Sequence, residues 1–148
     1  SGEELLHLGE AGLAYLGRLA AGMPPERLRQ LDGFEVTDEG MYDLTLASAI
    51  GRIEHRFDSY SGTLDRSVLT FRLPGTTGFP TLVDEVLRGE LGEPLTDVAA
   101  EVGATLEYQA PERHATLTVE SDHAVTIEVR HQGVAPGSIE IFRSSDPF

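Results

Sequence analysis

Five histidines are the side chains most able to do acid–base or metal chemistry near neutral pH. His55 lies in Arg52-Ile53-Glu54-His55-Arg56-Phe57-Asp58, where apolar and polar residues alternate. That parity puts it on one strand face with Ile53 and Phe57. There it reads either as a hydrogen-bonded core histidine or as a base in a cavity lined by those two residues. Arg52, Glu54, Arg56 and Asp58 fall on the opposite, wet face. They read as a row of cross-strand charge pairs or as a carboxylate–arginine site for a polar ligand. His123 and His131 share parity with Val125, Ile127 and Val129, at the two ends of one strand. Eight residues of strand span about 27 Å, too far to hold one metal within a chain. His114 goes with Thr116, Thr118 and Glu120 on a polar face, and His7 with the polar side of a helix. No histidine pair has the helical spacing of a zinc site. The reading assigns no catalytic residue, no metal ligand and no ligand-binding set. His55, with Glu54 or Arg56 beside it, is the group to suspect if a small ligand binds.

Other chemistries are excluded more firmly. All 11 basic residues are arginine, so Schiff-base lysine chemistry and a phosphate-cradling P-loop lysine are absent. Cysteine is missing, which removes disulfides, thiol catalysis and thiolate metal sites. Gly75-Thr76-Thr77-Gly78 lacks the spacing of a phosphate loop, and Ser59, Ser61 and Ser67 have no nucleophile-elbow context. No cofactor motif is present, and no cofactor is expected. Against the arginines stand 25 acidic residues, a net charge of −14 that repels phosphate backbones and argues against direct nucleic-acid binding.

The elements that position these residues follow from hydrophobic period. Leu5, Leu8, Gly12, Leu16, Leu19 and Met23 recur at steps of three and four, the stripe of an amphipathic helix. Gly9, Gly12 and Gly17 inside it suit close packing on a sheet or against a second helix in a dimer. Pro24-Pro25 ends it and opens a short helix over 26–31, with Gly33 as its left-handed cap. The period then falls to two. Strands are expected at Phe34-Glu35-Val36, 42–46, 52–58 and 67–73, with turns at Asp38-Glu39-Gly40 and Ser59-Tyr60-Ser61-Gly62. After the break at 74–80 comes a helix with Leu82, Val83, Val86 and Leu87 on one face, opened by a Thr81–Asp84 capping box. A further short helix is expected from Leu95, Val98, Ala99 and Val102, closed by Gly103. Strands resume at 105–108, 114–120, 123–131 and 138–142, with a tight hairpin at Glu120-Ser121-Asp122-His123 and a frayed tail.

The expected class is α+β: antiparallel sheet, one or two, with helices on one face. The 148 residues make a single domain, and helices-then-four-strands occurs twice, in pseudo-repeat halves 1–74 and 79–143. The acidic opening Ser1-Gly2-Glu3-Glu4 lacks the basic start of a signal peptide. The stretch 5–23 is broken by His7, Glu10 and Arg18, so no membrane span is expected and a cytoplasmic location is.

The outline Gly33-Phe34-Glu35-Val36, Asp38-Glu39-Gly40, Leu44-Thr45-Leu46, Ile53 to Phe57 and Leu69-Thr70-Phe71-Arg72-Leu73-Pro74 resembles the small acidic type III secretion chaperones and their YbjN-type relatives. The resemblance covers about residues 5–130 and rests on element order and acidity. It departs at the end, where those families close with a helix and Gly133 to Phe148 reads as loop, strand and tail. It implies a homodimer without catalytic residues that binds another protein. The first functional expectation is therefore a non-enzymatic acidic protein-binding module, chaperone- or adaptor-like, whose partner is another protein, with a basic or DNA-binding one fitting the charge. The alternatives are a cofactor-free small-ligand protein or enzyme with a cavity near His55, and an acidic mimic of nucleic acid that presents carboxylates in a regular row.

Overall fold

A computed structural model describes residues 9–12, 15, 28–111 and 113–131. Seven strands form one antiparallel sheet in the order β1-β2-β3-β4-β7-β6-β5. They are β1 (Glu35–Glu39), β2 (Asp43–Ser48), β3 (Gly51–Phe57), β4 (Leu64–Arg72), β5 (Thr105–Ala110), β6 (Arg113–Ser121) and β7 (Ala124–His131), with helix α1 (Phe79–Leu91) between β4 and β5. The expected α+β class is thus observed, with a single continuous sheet. Each half contributes an antiparallel meander, and the two meet where β4 pairs β7. The expected strand at 138–142, the loop before it and the tail lie outside the described residues, as do His7, Gly17 and the Pro24-Pro25 break.

Alternation decides which side of the sheet is covered. Leu44, Leu46, Ile53, Leu69, Phe71, Leu117, Ile127 and Val129 are all buried, on one face. From α1, Phe79, Val83, Leu87 and Leu91 bury against that face over β5–β7. Each such side chain contributes about 1.5–3 kcal/mol. Residues 9–12 and 15 are helical and lie on the same face. A Cβ at Gly12 would sit 2.8 Å from the Phe71 ring, and one at Gly9 3.2 Å from Leu73. These two glycines therefore serve close packing on the sheet. Gly51 is fixed by a different approach: a Cβ there would come within 1.9 Å of the Thr70 carbonyl oxygen.

Several boundaries differ from the sequence reading. β1 runs on through Asp38 and Glu39, and the turn is Gly40-Met41-Tyr42. β4 starts at Leu64, three residues early. The 26–31 helix is over by Leu28, and Gly33 takes its φ of 86° in a turn closed by Phe34 N–H on Leu31 O. The capping box does not form. Gly78 occupies the N-cap at φ 75° with no side-chain cap bond, and Asp84 is buried instead. Asp84 accepts from the Tyr108 hydroxyl and from Arg88, which ties α1 to β5.

The helix expected over 95–102 is also absent, and Leu95, Val98 and Val102 stand exposed. The Leu95 N–H donates to Glu107 O, and Glu107 N–H donates to the Thr96 hydroxyl. This segment uses its polar groups on the outer edge of β5 rather than on itself, which covers part of an edge that would otherwise be open. The far edge, β1, is protected by charge at Glu35, Asp38 and Glu39.

Candidate functional site

Two polar arrangements occupy opposite faces of the same strands. On the covered face His55 is 1% exposed, Ser67 0% and His131 3%. Register brings them together, because His55 lies opposite Ser67 and Ser67 opposite Val129, one step from His131. The Ser67 hydroxyl is 2.8 Å from His55 Nδ1 and 3.2 Å from His131 Nε2. Tyr15 Oη is 3.1 Å from His55 Nε2 and donates to the Leu28 carbonyl at 2.7 Å. The Tyr15 and His55 rings meet edge-on with centroids 5.9 Å apart.

The proton positions follow from the partners. A carbonyl only accepts, so the phenol proton belongs to Leu28 O. Tyr15 Oη must then accept from His55 Nε2–H, which leaves His55 Nδ1 as an acceptor. The Ser67 hydroxyl donates to it and accepts from His131 Nε2–H. His131 Nδ1 ends the chain as a buried lone pair without a partner among the described residues. This order requires both imidazoles to be neutral. Burial, then the neighbouring His131, pushes His55 down to about 4. Burial, then the charge of Arg113, pushes His131 down to about 4. Burial also raises the Tyr15 phenol above its ordinary value, which keeps it a donor.

Ser67 between two histidines has the residue types of a nucleophile and its base. Its proton, however, is held by a neutral, buried imidazole, and the hydrogen-bond chain links the N-terminal helical residues to the sheet. His55 is accordingly hydrogen-bonded at both ring nitrogens. His123, expected at the start of the strand, stands in the two-residue turn before β7, because β7 starts at Ala124; its carbonyl accepts from Leu73 N–H. Among the described residues no three metal-ligating side chains converge.

On the open face, register aligns Asp43, Arg56, Arg66, Arg130, His114 and Gln109 straight across β2, β3, β4, β7, β6 and β5. The next row reads Thr45, Glu54, Val68, Glu128, Thr116 and Glu107. Charges pair between the rows, Arg66 with Glu128 at 3.1 Å and Arg130 with Glu128 at 3.9 Å, and the His114 ring lies 3.4 Å from Glu107. Glu54 pairs with Arg52 at 3.4 Å. The three carboxylates thus stand in register on alternate strands, but Glu54 and Glu128 each have an arginine beside them, unlike a bare row of phosphates. Arg56 makes no ion pair among the described residues. Asp58 lies beyond the end of β3, where it accepts from Tyr60 and Ser61 N–H across the β3–β4 turn, which lowers its carboxyl below the usual range.

A β-bulge shapes the end of this face. Phe57 pairs Leu64 while Arg56 pairs Arg66, so Asp65 is an extra residue. There Arg56, Asp65, Arg66, Gln109, His114, Arg130 and His131 line an open concavity of about 740 Å³. A smaller and more enclosed one of about 210 Å³ adjoins it, lined by Asp38, Asp43, Glu54, Arg52 and His55, and both include Arg56 and Arg66. The larger concavity is therefore mainly basic, whereas the smaller one holds three carboxylates and three arginines. At the same end the Phe57 N–H bonds Tyr42 O and brings two turns together. Met41 is 85% exposed there and Tyr60 99%.

The sequence reading separated Arg56 from the apolar face correctly by parity. It named neither Arg66 nor Arg130, because their place in one row depends on which strands pair. The doublets His55-Arg56, Arg66-Ser67 and Arg130-His131 were the available signal.

No protein-family model, curated protein or solved structure matches this chain. Among the described residues no helix is long and apolar enough to cross a membrane.

Proposed function

We propose that this chain is a non-catalytic protein-binding module of adaptor or chaperone type, and that it meets its partner at the β1–β2 and β3–β4 turn end of the open face. The observation that carries this reading is the composition of that end. Met41, Tyr42 and Tyr60 are exposed in the two turns that the Phe57–Tyr42 bond joins, and the strand ends next to those turns carry Arg56 and Arg66, with Arg130 opposite Arg66. Tyrosine, methionine and arginine are the types enriched in protein interfaces, and arginine and tyrosine supply most hot spots. The resemblance in element order to the type III secretion chaperones belongs to the same reading, as does a cytoplasmic place of action. A second copy of the chain is one expected partner; the acidic β1 edge repels itself, so a homodimer would use another surface.

The test is site-specific crosslinking in cells of the source organism, with a photoreactive phenylalanine analogue at Tyr60, at Thr116 or at Glu90. Tyr60 marks the turn end, Thr116 the open face, and Glu90 an exposed position on α1. One protein adduct shared by positions 60 and 116 and missing at 90 is expected. No adduct at 60 and 116, or the same adduct at 90, would overturn the reading.

A further inference from the structure

We infer that the concavity around Arg56, Arg66, Arg130 and His114 is a carboxylate-binding site that takes an acidic peptide segment of the partner. This rests on the protein-binding reading and names the chemistry of what is bound. Strands lie about 4.8 Å apart, so in-register side chains are close neighbours, and like charges directly opposite each other are unfavourable. Three arginines nevertheless stand in register on β3, β4 and β7. Among the described residues their ion pairs go to one carboxylate, Glu128, and Arg56, with Asp43 opposite it on β2, is in none. A guanidinium fork is built to hold a carboxylate at two points. An acidic side chain between Arg56 and Arg66 would relieve their repulsion, and the Arg130 and His114 donors lie next in the row.

The surroundings select among anions. Asp65 at the bulge and Asp43 and Glu54 in the adjoining depression limit how much negative charge the site accepts. The whole chain carries −14. A long polyphosphate would meet that field along its length, whereas one short segment touches only the basic patch. Met41, Tyr42 and Tyr60, exposed in the turns next to the strand ends that carry Arg56 and Arg66, offer apolar contact to residues flanking the acidic ones.

The test uses the full chain and hexaglutamate as probe, with a serine–alanine peptide of equal length and an oligodeoxythymidylate as comparisons. NMR of the arginine Nε–Hε groups reports the place, and fluorescence anisotropy reports the affinity. Hexaglutamate is expected to shift Arg56, Arg66 and Arg130 and to bind more weakly as salt rises from about 50 to about 300 mM. Arg56→Gln should weaken binding about tenfold. Arg72→Gln removes the same charge from the same face of β4 outside the row and should leave binding unchanged. Absence of hexaglutamate binding, equal loss in both variants, or tighter binding of the oligonucleotide would overturn the inference. Binding at the row without crosslinks at positions 60 and 116 would leave the carboxylate site standing and remove the docking reading. Crosslinks without hexaglutamate binding would do the reverse.

Discussion

The two polar sets differ by one residue along the chain and by a whole environment. His55 and Arg56, Ser67 and Arg66, His131 and Arg130 are sequence neighbours on opposite faces of β3, β4 and β7. In the covered set each donor has one assigned acceptor, and the two imidazoles are neutral. On the open side charges crowd together with too few close partners. The same register builds both, because the strand pairing that lines up Ser67 between two imidazoles also lines up three guanidiniums behind them. A buried polar group without a partner costs desolvation energy, so the covered set is paired at every atom but His131 Nδ1 and holds the fold. Water screens the exposed set, so its incompleteness costs the fold little and stays available for binding.

Acid should break this contrast most strongly. Both imidazoles are neutral in the folded protein and titrate near 4, against about 6.5 in the unfolded chain. Below 6.5 the unfolded state takes up protons that the folded state refuses. Stability is therefore full above about 6.5 and falls as the pH drops toward 4, by on the order of 3 kcal/mol for each imidazole. Urea unfolding at a series of pH values measures this. A flat profile between 7 and 4 would show that the histidines are not held neutral.

Ser67→Ala comes next. It removes one hydroxyl but strands two groups, His55 Nδ1 and His131 Nε2–H, at a cost of about 2–4 kcal/mol. Tyr108→Phe on the same covered face sharpens the point. Asp84 would keep Arg88, so about 1–2 kcal/mol is expected. Urea midpoints at unchanged m-value check both, and the order of the two losses is the informative result.

How much of this was legible in the residues depends on range. Parity is local, and it put His55 and His131 with the apolar residues and Arg56 with the wet ones. Element order was also local, since each strand sits between turn residues. The meeting of Ser67 with His131 depends on a pairing between strands 64 residues apart, which no spacing rule reaches. The false helix over 95–102 has the same origin. Leu95, Val98, Ala99 and Val102 do fit a helical stripe, but the β5 edge offered Leu95 and Thr96 better partners. Asp84 looked like half of a capping box because Tyr108, a residue of a later strand, was invisible to local pattern.

The smallest effect tests the open face. Arg56→Gln removes a guanidinium that has no ion pair among the described residues and lies opposite another arginine. Its stability should change by no more than about 0.5 kcal/mol, since the repulsion from Arg66 that is relieved is offset by the attraction of Asp43 that is lost. Added salt should shrink the change further, because screening weakens both contacts. Thermal unfolding of both proteins at low and high salt measures it. A loss above about 1 kcal/mol would mean that Arg56 supports the sheet, and the division between a face that folds and a face that binds would not hold at that position.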